Sequence, residues 1–374
     1  MDRDFSNVKR IVVKVGTNLL STEDGIDENR IEIIVSQIAE LTKMGYQVIL
    51  VTSGAIGMGA KELGITHPVK AIAFRQALAS VGQPILMSSY RHYFKKHGLI
   101  CSQVLLTRTL LDKRTTYVNL RNSIFTLLEL GIIPILNEND SVSTAEIGSA
   151  FGDNDRMSAL VGSKIDADLL IILTDIDGLY TSNPKVDADA KLISEVGDLN
   201  DDIMNAAGGA GSAFSTGGMK TKLLAAKIAS IAGCDSVIAT GYDGEILKKI
   251  IWGDKVGTRI KSTERKSQRT RWIVNSAVHG SISVDEGAKK ALEHHKSLLP
   301  AGILDLRGAF KAGDVIEILD AKGVAFAKAV PYYDSTDIIA ISGHNSCDIE
   351  GLLGKGRKDV IFRPEDLVFL NESK

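Results

Sequence analysis

Residues 11–18 read IVVKVGTN. Ile11, Val12, Val13 and Val15 are β-branched and apolar, the composition of a short buried strand. Lys14 breaks that pattern, and an unpaired charge held between Val12, Val13 and Val15 would be costly. Taken alone it could be a surface lysine snorkelling at a strand end. The flanking valines favour a lysine that leaves the strand end toward an anion.

Working outward, ENRIEIIVSQIAELTKMG (28–45) places Ile31, Ile34, Val35, Ile38 and Leu41 on one helical face, with Gly45 as the stop. YQVILVTSG (46–54) and LICSQVLL (99–106) read as further strands, and 115–130 reads as a helix ending at Gly131. IIPIL (132–136), DLLIILTD (168–175) and DSVIATG (235–241) complete the series. Continuous apolar strands between amphipathic helices predict an α/β fold, an αβα sandwich around a mainly parallel sheet. The texture changes near residue 261. KSTERKSQRTR (261–271) is polar and basic, and GSISVD, GDVIEILD and GVAFAKAV beyond it are short strand-like pieces punctuated by glycine. The division expected is a first domain at 1–262, a linker at 263–274 and a small β-rich domain at 275–365.

Length and composition agree with two domains: 374 residues, 44% hydrophobic and 24% charged. A formal net charge of −2 gives no global basic field for nucleic acid. The first residues, MDRDFSNVKR, have no apolar core of a secretion signal, and no apolar run has the length of a membrane span. Cys101, Cys234 and Cys347 lie far apart, without metal-ligand spacing. A reducing, cytoplasmic location without membrane attachment is expected, with no protein-held metal site.

In open parallel sheets, ligands bind beyond the carboxyl ends of the strands. Four strands here unload polar residues and glycines at that edge: Lys14 to Asn18, Thr52 to Ala55, Asn137 to Asp140, and Thr174 with Asp175. Each alone has a bland explanation, a helix cap at Ser53-Gly54 or a capped turn at Asn137 to Asp140. Four together predict a site. GSAFSTGGMKTKLLAAKIA (211–229) adds the glycine pair Gly217-Gly218, with Gly208-Gly209 shortly before it, ahead of a helix face of Leu223, Leu224, Ile228 and Ile231. Converging backbone N–H groups and a helix N-terminus suit phosphate, and Lys220 and Lys222 add charge. The segment is not a standard P-loop, because Met219 separates Gly218 from Lys220. A flexible loop before a solvated helix is the alternative. GMGAKE (57–62) lacks the third glycine of a dinucleotide fingerprint, and Asp175 to Gly178 lacks most calcium-loop ligands.

Together VVKVGTNLL, VTSGAIGMG, LLTR, LNENDSVSTAEIGSAFGDND, LTDIDGLYTSNP, STGGMKTK and RWIV…GSISVDEGA resemble the amino-acid kinase family over about residues 8–365. The C-terminal part resembles a PUA domain, a small β-barrel found in RNA-modifying enzymes. Asn18 stands where the family usually has a hydroxyl residue, and Asn183 where it usually has Asp. The resemblance implies ATP-dependent phosphorylation of the side-chain carboxylate of L-glutamate, opening proline synthesis, with Mg²⁺ on the nucleotide. It implies that Lys14 and Lys222 contact the transferred phosphoryl group and that Asp155 orients both. Ser53, Asp140 and Asn154 would bind glutamate, Asp140 accepting from its ammonium and Ser53 and Asn154 donating to its carboxylates. Gly16, Thr174, Asp175 and the loop Thr216, Gly217, Gly218, Met219, Lys220, Thr221 and Lys222 would form the ATP site. Feedback inhibition by proline and a homodimer or homotetramer are also implied. Other acceptors remain open within the family: aspartate, acetylglutamate, carbamate, a nucleoside monophosphate or an isoprenoid phosphate. The basic run Arg265, Lys266, Arg269 and Arg271 raises RNA binding as another class, but a solvated linker is favoured because dense basic and aromatic clustering is missing.

Overall fold

The computed structural model describes residues 3–370 apart from 23–24, 68, 108–109, 111–113, 144–152, 183, 185–186, 198, 200–202, 205–217 and 264–265. The chain divides into two compact units, Met1–Arg265 and Lys266–Lys374.

The first unit is built on β1 (Arg10–Val15), a small hairpin β2 (Ser21–Thr22) and β3 (Gly25–Ile26), β4 (Gln47–Val51), β5 (Cys101–Leu106), β6 (Ile133–Glu138), β7 (Leu169–Thr174), β8 (Glu195–Val196), β9 (Asp235–Thr240) and β10 (Thr258–Ile260). Among the described residues its main sheet has eight strands in the order β5-β6-β4-β1-β7-β9-β10-β8. Pairing is parallel from β5 through β9; β10 runs antiparallel to β9 and parallel to β8. This is the mainly parallel sheet expected from the apolar runs.

Successive strand residues point to opposite faces, and both faces are covered. Ile11, Val13 and Val15 join a core with Ile31, Ile34 and Ile38 of the helix Glu28–Lys43 and with Leu86, Tyr90 and Phe94 of the helix Ile72–Lys96. Val12, Ile49 and Ile172 join the other core, with Leu160 of the helix Asp153–Lys164 and Leu223 of the helix Gly218–Ile231. The two-residue period puts Lys14 on the face of Val12. It therefore rises toward the helices that begin at Asp153 and Gly218.

Two local features fix the frame. The helix Glu28–Lys43 starts on an Asp27 side chain that accepts from the Arg30 backbone N–H at 3.0 Å. Gly45, at φ +95°, ends the segment as expected. The helix Ala55–Glu62 crosses Ile72–Lys96 at two glycines: a Cβ on Gly82 would lie 1.8 Å from Ala55 O, and one on Gly59 1.9 Å from Leu78 O. Gly59, the second glycine of GMGAKE, is thus a backbone-to-backbone packing residue.

The second unit contains β11 (Ser281–Val284), β12 (Ile303–Arg307), β13 (Ile316–Leu319), β14 (Ala325–Ala329) and β15 (Leu367–Phe369). They form a five-stranded sheet in the order β12-β11-β13-β14-β15, around Ile282, Ile316, Ile318, Ala327 and Phe362. Part of the segment read as a linker is a helix, Gln268–Asn275, capped by Ser267. Arg271, Trp272 and Ile273 are buried in it, and Trp272 and Ile273 pack with Val315 and Val368. Arg269 pairs with the buried Asp366, which also accepts from the Tyr332 hydroxyl at 2.5 Å.

Candidate active site

Because β6, β4, β1 and β7 are consecutive parallel neighbours, their carboxyl ends lie side by side. The sheet order therefore joins the four polar strand endings into one edge.

At its centre, Lys14 and Lys222 meet one carboxylate. Lys14 Nζ is 2.5 Å from Asp155 Oδ1 and Lys222 Nζ is 3.4 Å from Asp155 Oδ2. All three side chains are buried, Asp155 to 2% exposure. Asp155 lies in the first turn of the helix Asp153–Lys164, where the helix dipole also favours a negative charge. The Thr221 hydroxyl is 2.9 Å from both Asp155 Oδ2 and Gly218 O, and Lys222 Nζ donates to Gly218 O at 3.1 Å. Gly16 closes the strand end, its N–H donating to Leu173 O at 3.2 Å. A Cβ there would stand only 3.5 Å from Lys14 Nζ.

Two ammonium groups against one carboxylate leave a buried excess of positive charge. Burial pushes the Lys14 pKa below the ordinary lysine value, and the Lys222 charge adds to this; Asp155, and Asp175 beyond β7, oppose it without cancelling it. Burial pushes the Asp155 carboxyl up, but Lys14 and Lys222 outweigh that and hold it below the usual carboxylate range. Such a site is completed by an anion.

A second cluster sits one residue away along the same helix. Asn154 Nδ2 donates to Thr52 O and Ser53 Oγ, both at 2.8 Å, and lies 3.2 Å from Asn137 Oδ1. Ser53 comes directly after Thr52, whose hydroxyl lies 2.7 Å from that of the fully buried Tyr90. Burial pushes the Tyr90 hydroxyl well above its ordinary pKa, so it remains neutral. Asn137 Nδ2 donates to Gln83 Oε1 at 2.8 Å, and Gln83 Nε2 donates to Gln103 Oε1 at 3.2 Å. The expectation that Asn154 donates to a substrate carboxylate meets a different geometry. Its amide hydrogens are engaged within the protein, and among the described residues Oδ1 has no hydrogen-bond partner.

Thr174 is buried and its hydroxyl donates to Asp175 Oδ1 at 3.0 Å, while Asp175 is exposed. Asp140 is half-buried in the turn after β6. Within the helix from Gly218, Lys220 is exposed, whereas the Met219 side chain is buried in the core with Leu223. Thr216 and Gly217, with the glycine pair Gly208-Gly209, lie outside the described residues. Sequence reading missed Gln83, Gln103 and Tyr90. Nothing in the pattern around Gln83 and Tyr90 in their helix, or Gln103 in β5, distinguishes them from ordinary core or surface residues.

The amino acid kinase family model matches residues 9–240, and the PUA domain model matches residues 280–353. The chain belongs to the amino acid kinase family. A glutamate 5-kinase of Methanosarcina barkeri is 44% identical to it over 372 residues, 97% of this chain and 97% of that one. A glutamate 5-kinase of Caldanaerobacter subterraneus is 43% identical over 369 residues, 98% of this chain and 99% of that one. Among solved structures, a UMP kinase from Bacillus anthracis aligns with a TM-score of 0.48 and 18% identity, covering 68% of this chain and 96% of that chain.

Proposed function

We propose that the first unit transfers the terminal phosphoryl group of ATP to the side-chain carboxylate of L-glutamate, giving ADP and L-glutamyl 5-phosphate. The observation that carries this reading is the buried Lys14–Asp155–Lys222 cluster beside Ser53 and Asn154, in a chain whose near-full-length relatives are glutamate 5-kinases. The attacking carboxylate has an ordinary pKa of about 4.3 and is ionised at neutral pH, so the reaction needs no general base. The remaining task is in-line positioning and neutralisation of charge on the phosphoryl oxygens.

In this reading Lys14 and Lys222 hold the phosphoryl group, and Asp155 keeps the two ammonium groups apart and aimed. Thr174, Asp175, Gly16 and the segment from Thr216 to Lys222 bind ATP. Ser53, Asp140 and Asn154 bind the amino acid. Mg²⁺ carried on the nucleotide is part of this reading. The cation would supply further neutralisation of phosphate charge. Among the described residues no helix is long and apolar enough to cross a membrane. A cytoplasmic, oligomeric enzyme inhibited by proline completes the proposal.

Hydroxylamine converts an acyl phosphate to a stable hydroxamate, so trapping during ATP turnover tests the reading. L-Glutamate should give hydroxamate, with aspartate, N-acetylglutamate, carbamate and UMP as comparison acceptors. Hydroxamate or ADP formation driven by one of those acceptors, with none from L-glutamate, would overturn it.

A further inference from the structure

We infer that Thr258, whose hydroxyl is set in the neck of the segment leaving β7, is a positioning residue for the nucleotide and holds Asp175 to Gly178 in place at the ATP side of the site. The inference rests on the ATP-binding half of the reading above and names what keeps that half in shape.

After Thr174 the chain leaves the sheet and rejoins it at β8, and its two antiparallel arms meet at Leu179 and Ile193. In a regular antiparallel ladder, two residues so paired exchange both of their backbone hydrogen bonds. Here the arms share one, from the Ile193 N–H to Leu179 O at 2.7 Å. The other two groups both bond Thr258. Its hydroxyl accepts from the Leu179 N–H at 2.8 Å and donates to Ile193 O at 2.6 Å. The hydroxyl is thus a wedge in one side of the neck. Thr258 is fully buried, and its place is fixed by β10, where it stands opposite Ile238 of β9. Arg3 braces the same corner, donating to Ser194 O at 2.5 Å, to Gly257 O at 2.8 Å and to Val256 O.

The consequence falls on the short stretch between two fixed points. Thr174 is held in the sheet, where its carbonyl accepts from the Gly241 N–H at 2.9 Å, and Leu179 is held by Thr258. Asp175 to Gly178 span the interval. Gly178 lies close against the wedge: a Cβ there would stand 2.6 Å from the Thr258 hydroxyl and 3.0 Å from Thr258 N. Asp175 is exposed, and its charge favours the ammonium form of Lys14. A shift of Leu179 therefore moves Asp175 relative to Lys14 and to the phosphates that Lys14 would hold. A hydroxyl supplies what the neck needs, a donor and an acceptor on one atom. Valine has nearly the same shape and supplies neither. Thr258 acts through Leu179 and Gly178.

The test measures Kd for ATP by calorimetry on the full chain, with KM for L-glutamate as the control. Neither constant depends on what fraction of the enzyme is folded. Thr258→Val leaves the Leu179 N–H and the Ile193 carbonyl without their shared partner and should raise Kd for ATP about tenfold. KM for L-glutamate, whose proposed contacts lie beyond β4 and β6, should change by less than about twofold. Thr258→Ser keeps the hydroxyl and should bring Kd for ATP back to within about twofold of the wild type. Gly178→Ala crowds the same hydroxyl and should weaken ATP with the same selectivity, so it carries the test if the valine variant does not fold. An unchanged Kd for ATP in Thr258→Val or Gly178→Ala overturns the inference. So does an equal rise in both constants, or a serine variant no better than the valine one. In each of these cases wild-type turnover of L-glutamate leaves the kinase reading standing. The expected changes in Kd for ATP, in a wild type that phosphorylates a different acceptor, would support the inference and overturn the glutamate reading. A wild type that binds no ATP overturns both.

Discussion

Replacing Asp155 by Asn keeps the shape of the side chain and removes the one charge that Lys14 and Lys222 share. Their contacts of 2.5 and 3.4 Å to the carboxylate are close enough for Coulomb attraction to be large in a buried setting. Much of that attraction only offsets the desolvation of the three groups. Removing one member of a buried pair, however, typically costs about 3–5 kcal/mol, because the orphaned charge stays buried. Spread over a unit of this size, that is a fall in Tm of roughly 6–20 °C. The pH dependence makes the prediction specific. Burial, reinforced by Lys222, already depresses the Lys14 pKa, and Asp155 is the main force opposing it. Without Asp155, Lys14 releases its proton at still lower pH in the folded protein, while the unfolded chain holds it until about pH 10.4. Between those values the unfolded state binds more protons, so the stability of the variant rises with pH. At the acid end the wild-type advantage is present above the ordinary carboxylate pKa and fades as pH falls through the depressed value of Asp155. Calorimetry of the full chain at about pH 7 and pH 9.5 should show the first unit's deficit largest at neutral pH and smaller under alkaline conditions. A Tm shift below about 3 °C at neutral pH, or a deficit that grows with pH, would refute the buried-charge account.

The same cluster makes Lys14→Ala and Lys222→Ala each lower kcat by roughly 10²–10³, the scale of losing one preorganised charge stabiliser; normal turnover in either, by coupled ADP assay, would remove that lysine from the chemistry. The alkaline limb of kcat/KM for ATP should lie below about pH 10.4, reporting the free enzyme's depressed Lys14, while the limb of kcat should move upward because bound phosphates favour the ammonium. Coincident limbs would place Lys14 away from the phosphates. Asp140→Ala should raise KM for glutamate and leave KM for ATP within about twofold, since an acceptor-side contact contributes to binding of that substrate alone; the reverse pattern would put Asp140 in the nucleotide half. Gly82→Ala forces a Cβ to within 1.8 Å of Ala55 O and should destabilise the first unit by about 3 kcal/mol or more, read by urea denaturation.

The main sheet was legible because burial on both faces leaves its strands little choice but continuous apolar sequence, as in β7, where Leu169 to Leu173 are all fully buried. The four polar endings could be grouped because each follows such a strand, and in the sheet they do adjoin. The helix Ile72–Lys96 was not read. Pro84 stands in its interior, and its buried residues Gly82 and Gln83 do not advertise an apolar face. The helix Gln268–Asn275 was read as linker because its basic residues suggest a solvated segment, yet Arg271 is buried along with Trp272 and Ile273. The pairing of Asp155 with two lysines came from family resemblance, because residues in three separate elements leave no spacing signature. The place of Thr258 lies further still from the sequence, since it depends on which backbone groups meet its hydroxyl.

The displaced lysine of the glycine-rich segment has a geometric explanation. In the helix that starts at Gly218, Met219 and Leu223 are four residues apart and share the buried face against the sheet. Gly218, Thr221 and Lys222 are separated by three and four residues and share another face, which meets Asp155. A lysine immediately after Gly218 would occupy the Met219 position and enter the core. Lys222, one turn later, reaches the carboxylate while its Nζ donates back to Gly218 O. The methionine therefore sets the rotation of the helix about its axis, and that rotation aims the lysine. Exchanging the residues at 219 and 222 would keep composition and net charge unchanged yet bury an ammonium against Leu223 and withdraw one from Asp155. Both changes are unfavourable, so the order of these residues is dictated by packing as much as by chemistry.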